Sequence, residues 1–155
     1  MAKLLEFTVK ETDANIVFNY IPNQKDEAVE IYNLCNKNTR NHLYFGAYTT
    51  SLRDSLAILS RCNALIGNEG GAVNMAKALN VPTFSLFSPC ISREWQIFED
   101  ERNVSIHLKD LKPEIYTEVN NKRMKEDIFK YFDAYPVSTI KNKLELFFKS
   151  ILKLK

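Results

Sequence analysis

The chain has 155 residues, enough for one domain, and 45% apolar with 12% aromatic residues supply a real core and exclude a disordered chain. Its 21 Lys and Arg against 19 Asp and Glu leave a net charge of +2, which lacks the strongly basic footprint of a dedicated nucleic-acid binder. Cys35, Cys62 and Cys90 are widely spaced with no C-x-x-C pair, so neither a disulfide framework nor a zinc site is indicated, and a reducing cytoplasm is expected.

The opening MAKLLEFTVKE is too charged and too short in its apolar run for a signal peptide, and no stretch of about 18 apolar residues could cross a bilayer. Residues 3 to 10 read as a helix. NIVFNYIP, Asn15 to Pro22, then reads as a continuous apolar strand buried on both faces, ended by its proline. From Lys25 to Asn36 the set Ala28, Ile31, Tyr32 and Cys35 follows helical spacing, and HLYFGA, His42 to Ala47, is the next strand.

SLRDSLAILSRCN places Leu52, Leu56 and Leu59 on one helical face, with Ser51 as N-cap and Asp54 three residues on, as in a capping-box variant. NALIG is a short strand. EGGAVNMAKALN is a helix with Ala72, Met75, Ala76 and Leu79 on one side, and VPTFSLF is another strand. Strands alternating with helices predict an α/β domain with a doubly wound, mostly parallel sheet and helices on both faces. After Pro89 the spacing predicts a loop with Trp95, a strand at Val104 to Leu108, a charged helix from about Asn121 to Phe132, and a last helix striped by Ile140, Leu144, Phe147, Phe148 and Ile151.

Three of the four glycines, Gly67, Gly70 and Gly71, fall within five residues between a predicted strand and a predicted helix. In open parallel sheets ligands sit at such corners, where bare backbone N–H groups and the positive end of a helix meet an anion. The structural alternative is that Gly67 and Gly70 permit positive φ in a tight turn and Gly71 permits close packing of helix on strand. G-N-E-G-G fits neither G-x-G-x-x-G nor a Walker motif, which disfavours a dehydrogenase or a P-loop enzyme.

About forty residues, SLRDSLAILSRCNALIGNEGGAVNMAKALNVPTFSLFSP, resemble the donor-binding half of the heptosyltransferase-type enzymes, glycosyltransferase family nine, of the GT-B fold. By position Glu69 matches the family's Asp, Gly70 its Ser or Thr, Gly71 its Gly and Asn74 its His. The resemblance implies that this turn holds the diphosphate of a nucleotide-activated sugar. Gly70 loses a hydroxyl but keeps its N–H, and Asn74 keeps a donor but cannot become cationic. A carboxylate at Glu69 suits the helix dipole yet repels a phosphate at the same amides, so its expected partner is a sugar or ribose hydroxyl or a neighbouring N–H, with helix capping as the alternative. Asn68 is expected as the N-cap.

The resemblance places nucleobase contacts in the loop Gly46 to Ser51, involving Ala47, Tyr48 and Thr50, with Tyr48 either stacking on a base or a plain surface tyrosine; Asn23 and Gln24, which follow the first strand on the same edge, are candidates for meeting the ribose. Ser88, Pro89 and Trp95 fall in the family's post-strand loop, and Arg93 there is a candidate for meeting acceptor or phosphate. His42 and His107 stand alone and read as structural or surface residues. No cofactor and no metal are expected; the nucleotide sugar is substrate.

What the resemblance implies for the whole is a single domain, residues 1 to 155, that is the second half of a transferase acting in lipopolysaccharide or surface glycan synthesis. The acceptor half, the domain's first strand and the catalytic Asp base fall outside the matched part. The chain alone is then expected to transfer no sugar, its glycolipid acceptor being met through the other half, and a second copy of the chain is one way to complete the sheet. The expected location is the cytoplasm, at the inner face of the inner membrane, with at most peripheral contact through the cationic tail; residues 101 to 155 carry 12 basic and 8 acidic side chains. The competing reading is a nucleotide- or anion-binding domain without chemistry of its own. A sugar-nucleotide epimerase shares the architecture but needs acid and base groups that the sequence does not display.

Overall fold

A computed structural model describes residues 1–20, 22–46, 49, 51–95, 98–135 and 137–152, the side chains of Pro22 and Trp95 excepted. The chain divides into two compact units, Met1–Ile58 and Leu59–Lys155.

In the first unit, α1 (Ala2–Thr12) buries Leu4, Thr8 and Val9 and ends at Asp13, whose left-handed φ of 53° lets its N–H return to the Val9 carbonyl. β1 is only Ile16–Val17. After the short turn Pro22–Gln24 comes α2 (Lys25–Leu34), with Asp26 and Glu27 in its first turn, where carboxylates suit the helix dipole. Its stripe is as the spacing predicts: Ala28 and Cys35 are buried, Ile31 and Tyr32 half-buried. A helix without an expected counterpart, α3 (Lys37–Asn41), is nucleated by Asn36, whose Oδ1 accepts the Thr39 N–H at 2.9 Å. Glu6 on α1 accepts two bonds from Asn36, at 2.8 and 3.0 Å. β2 (Leu43–Tyr44) pairs in parallel with β1, Ile16 against Leu43 and Val17 against Tyr44.

The expectation of a strand buried on both faces from Asn15 to Pro22 is corrected here. Exposure alternates along it, Ile16, Phe18 and Tyr20 being half-buried while Val17 and Asn19 are exposed. One face is covered: Phe18 stacks on Phe45 at 4.5 Å and Tyr32 of α2 meets Phe45 edge-on at 5.2 Å. The other leaves Val17 and Tyr44 exposed side by side.

α4 (Leu52–Leu59) carries the predicted cap: Ser51 Oγ accepts the Asp54 N–H at 3.1 Å and donates to the Asp54 carboxylate at 2.7 Å. None of its residues is buried.

The second unit holds a parallel sheet in the order β3-β4-β5, with β3 at Leu65–Asn68, β4 at Thr83–Leu86 and β5 at Asn103–Ile106. Helix α5 (Gly71–Ala78) connects the first two. Central β4 buries both faces, Thr83 and Ser85 at 0% exposure and Phe84 at 1%. Next come α6 (Leu108–Leu111), α7 (Ile115–Glu118), α8 (Asn121–Glu126), α9 (Ile128–Asp133) and α10 (Val137–Leu152). The single charged helix expected over Asn121 to Phe132 is two, parted at Asp127, whose φ of −116° and ψ of 36° leave the helical range. α10 docks as its stripe requires: Ile140, Leu144, Phe147 and Phe148 are buried, and Phe147 packs on Phe84 with ring centroids 5.6 Å apart. Burial of each such side chain stabilises by roughly 1.5–3 kcal/mol.

The architecture is therefore mixed α/β, with parallel strands in two small sheets and helices around them. No helix among the described residues is long and apolar enough to cross a membrane.

Candidate functional site at the β3–α5 corner

β3 delivers its chain to a corner at Asn68–Gly71, and the corner is fixed from below. The Glu69 N–H donates to the Leu86 carbonyl of β4 at 2.8 Å, extending the strand pairing one residue beyond Asn68. The N-cap of α5 is Gly70, not Asn68, which is the exposed last residue of β3. Gly70 has extended backbone and offers no side-chain cap, so the first amides of α5 receive nothing from their own N-cap side chain. Asn74 supplies the first helical bond, its N–H donating to the Gly70 carbonyl at 3.2 Å.

The two structural duties expected of the glycines are not what they serve. None of them lies in the left-handed region, the φ of 160° at Gly70 being extended backbone, so no left-handed turn requires them. A Cβ built on Gly67, Gly70 or Gly71 would meet nothing within 4 Å, so no close packing of helix on strand requires them either. Their effect is to leave the space above the corner open; Gly70 and Gly71 are exposed.

Three side-chain oxygens on the corner and on neighbouring β4 have no hydrogen-bond partner among the described residues. Glu69 Oε2 and Asn74 Oδ1 are buried atoms without a hydrogen-bond partner, on residues that are themselves half-buried. Ser85, fully buried on β4 and in register with Gly67, has an Oγ in the same condition. Sequence reasoning missed Ser85, and only the register of β4 against β3 could have found it.

The α5 face is turned from the expected one. Val73, Ala76 and Lys77 are buried, while Ala72 and Met75 are half-buried and Leu79 is exposed. Lys77 lies inside because its stem packs and its ammonium donates to the Phe98 carbonyl at 2.7 Å while sitting 5.2 Å from the Phe98 ring centre.

The loop after β4 is pinned at three carbonyls. Tyr135 donates to that of Phe87 at 2.6 Å, Tyr116 to that of Pro89 at 2.8 Å, and His107 Nε2 meets that of Ile91 at 2.7 Å. His107 Nδ1 accepts the Lys109 N–H, which makes it the bare nitrogen and Nε2 the N–H that donates to Ile91. His107 thus caps α6 and holds a loop, a structural histidine. Burial lifts the Tyr116 hydroxyl to about 12, with Cys90 and Asp110 adding to it, and lifts Tyr135 further.

Arg93 is paired within the protein. Its guanidinium lies between two carboxylates, 3.1 Å from Glu99 and 2.9 Å from Asp110, and Glu99 also accepts from Ser105 N–H and Oγ. His42 is half-buried, its Nε2 3.7 Å from exposed Asp13.

Gln24 closes the turn before α2 in the first unit and is exposed, as is Asn23; Glu69, Gly70, Gly71 and Asn74 lie together in the second. Ala47, Tyr48, Thr50 and the side chain of Trp95 lie outside the described residues. An open depression of about 530 Å³ lies at the opposite, amino ends of the strands, between Cys62, Val81, Arg102 and Ile151. It is remote from the corner, and Arg102 there is already bonded to Asn80 through two contacts of 3.2 Å.

No family model matches the chain, and neither the curated proteins nor the solved structures contain a match to it.

Proposed function

We propose that the corner between β3 and α5 binds the diphosphate of a nucleotide-activated sugar, and that the chain is the donor-binding, doubly wound half of a GT-B sugar transferase of the heptosyltransferase type. One observation carries this reading: the glycines at Gly67–Gly71 serve neither a left-handed turn nor a close packing contact, yet they leave the start of α5 uncovered. Uncovered amides at a helix start after a parallel strand attract phosphate, and the same amides would stabilise a departing nucleoside diphosphate as charge develops on it. The resemblance of the forty residues around the corner supports the choice of a sugar nucleotide over other anions. A surface glycan acceptor at the cytoplasmic side of a membrane follows from that resemblance alone.

The test is calorimetric titration of the chain with a panel of nucleotide sugars, free nucleotides and pyrophosphate. Saturable binding of at least one nucleotide sugar, competed by pyrophosphate, is expected; a folded chain that binds none of them overturns the proposal.

A second reading, a nucleotide-binding domain without chemistry, is favoured by the commitment of His107 and Arg93 to structural bonds. It predicts that free nucleoside diphosphate binds as tightly as any nucleotide sugar.

A further inference from the structure

The Glu69 carboxylate stands one residue before the N-cap of α5, beside the uncovered amides, and an anion placed there is repelled by it. None of the ion pairs among the described residues includes Glu69, and its Oε2 is a buried atom without a hydrogen-bond partner among them. Asn74 Oδ1 and Ser85 Oγ share that condition, the latter on a side chain at 0% exposure. A buried carboxylate oxygen left without a donor or a cation is among the costliest polar groups to bury.

The fold gives these three residues one neighbourhood. Ser85 stands in register beside Gly67, and residues in register on adjacent strands share a face of the sheet. Glu69, two residues after Gly67, extends the pairing through its N–H to the Leu86 carbonyl, so the alternation of the strand returns it to that face. Asn74 lies on the first turn of α5, its N–H bonded to the carbonyl of Gly70, the residue after Glu69. A Cβ on Gly67 would meet nothing within 4 Å, so the same face has room for a further group.

Carboxylate, amide and hydroxyl oxygens are hard ligands, suited to Mg²⁺, Mn²⁺ or Ca²⁺ and not to the softer metals. They are too few to hold such an ion unaided, and no group of three or more His, Cys, Asp or Glu among the described residues is placed to hold one. Magnesium is ordinarily bound in this partial way, by one or two carboxylates, with phosphate oxygens and water completing its octahedron.

We propose that Glu69, Asn74 and Ser85 form a site for a divalent cation, Mg²⁺ by its hard octahedral chemistry, that binds together with the diphosphate. This rests on the preceding reading of the corner as a phosphate site and departs from the expectation of a site that uses no metal. The cation bridges the Glu69 carboxylate and the phosphate, replacing one repulsion with two attractions, while the α5 amides take the remaining phosphate oxygens. Asn74 and Ser85 supply neutral oxygens, directly or through a water on the ion. Cation and diphosphate therefore strengthen each other's binding: the ion alone has one carboxylate, and the diphosphate alone faces it.

Calorimetric titration of the full chain with pyrophosphate, once in EDTA and once in saturating Mg²⁺, tests this. Binding in Mg²⁺ is expected to be roughly tenfold or more tighter than in EDTA. Glu69→Gln is expected to lose that gain while its affinity in EDTA stays equal or rises, because the repulsion leaves with the charge. Asn74→Asp adds a second carboxylate and is expected to do the reverse, binding more weakly in EDTA and gaining more from Mg²⁺. Misfolding would weaken binding in both media and imitates neither pattern. Equal affinity of the unaltered chain in the two media overturns the cation site and leaves the phosphate site standing. So does a gain that survives Glu69→Gln, which would place the ion on pyrophosphate alone, or one that fails to grow in Asn74→Asp. Absence of pyrophosphate binding in both media overturns the phosphate reading together with the cation.

Discussion

Tyr135 donates its hydroxyl hydrogen to the Phe87 carbonyl at 2.6 Å and with the same oxygen accepts the Leu108 N–H at 2.9 Å. One phenol thereby ties the exit of β4 to the exit of β5, at the edge of the sheet where the corner lies. Both backbone groups are buried, Phe87 and Leu108 at 0% exposure, so neither has water as a substitute.

Tyr135→Phe is therefore expected to destabilise the protein by about 1–3 kcal/mol, the cost of leaving a buried donor and acceptor unmet. The ring stays, so packing is preserved and the denaturant m-value should not change. Urea unfolding of the two proteins side by side measures it. A midpoint unchanged by the substitution would show that the hydroxyl does not hold the strand ends.

The same phenol sets a pH dependence. Burial raises Tyr135 above its ordinary 10.0, despite the opposing Leu108 bond, and raises Tyr116 to about 12. A raised folded pKa means both states are protonated below about pH 10, where the full contribution is present. Between pH 10 and the folded values the unfolded chain loses protons that the native one keeps, so stability falls as pH rises. Cys35 and Cys62, raised by burial from 9.0, begin the same trend lower. Unfolding free energy is expected to be flat from this source at neutral pH and to decline above pH 9, with a shallower decline in Tyr116→Phe. A stability that rises between pH 9 and 11 contradicts the assignment.

Lys77 gives a prediction through packing. Lys77→Ala removes a buried stem and the bond to the Phe98 carbonyl and is expected to cost about 1–3 kcal/mol, whereas Lys77→Met keeps the stem and should recover part of it. Thermal unfolding of the two variants checks the order. If alanine and methionine are equally harmful, the bond matters and the stem does not.

What was legible in the residues follows from the range over which each cause acts. Ser51 with Asp54 acts within three residues, and such a cap is written locally; Asn36 caps α3 over the same range, yet that five-residue helix is too short for an apolar stripe to announce it. The stripe on α10 is equally local, because Ile140, Leu144, Phe147 and Phe148 repeat with the helix. The strand at Ile16 was misjudged because its burial depends on what covers the second face, which no run of apolar residues specifies. The buried face of α5 was misjudged because Lys77 counts as polar by type while its stem packs as an apolar group. The three pinned carbonyls at Phe87, Pro89 and Ile91 have no sequence signal, since their partners lie 16 to 48 residues away and any tyrosine or histidine looks alike in sequence. At the corner the glycines were visible, but their meaning was not: only backbone angles and the space around each Cα exclude the structural explanation.

That exclusion has a direct consequence for substitution. A glycine needed for a left-handed turn or for close packing destabilises when replaced, whereas Gly70 and Gly71 have ordinary backbone and room for a methyl group. Gly71 opens α5, where alanine is the better helix former and also restricts the unfolded chain. Gly71→Ala is therefore expected to leave stability unchanged or raise it by about 0.4–1 kcal/mol. Under the proposed function the same methyl group stands over the amides that approach the phosphate, so pyrophosphate affinity should fall by roughly tenfold or more in Gly70→Ala and Gly71→Ala. Stability and binding thus move in opposite directions, which separates a ligand role from a folding role without knowledge of the natural ligand. Loss of stability in both variants would return the glycines to a structural duty, and stable variants with undiminished pyrophosphate binding would move the phosphate away from this corner.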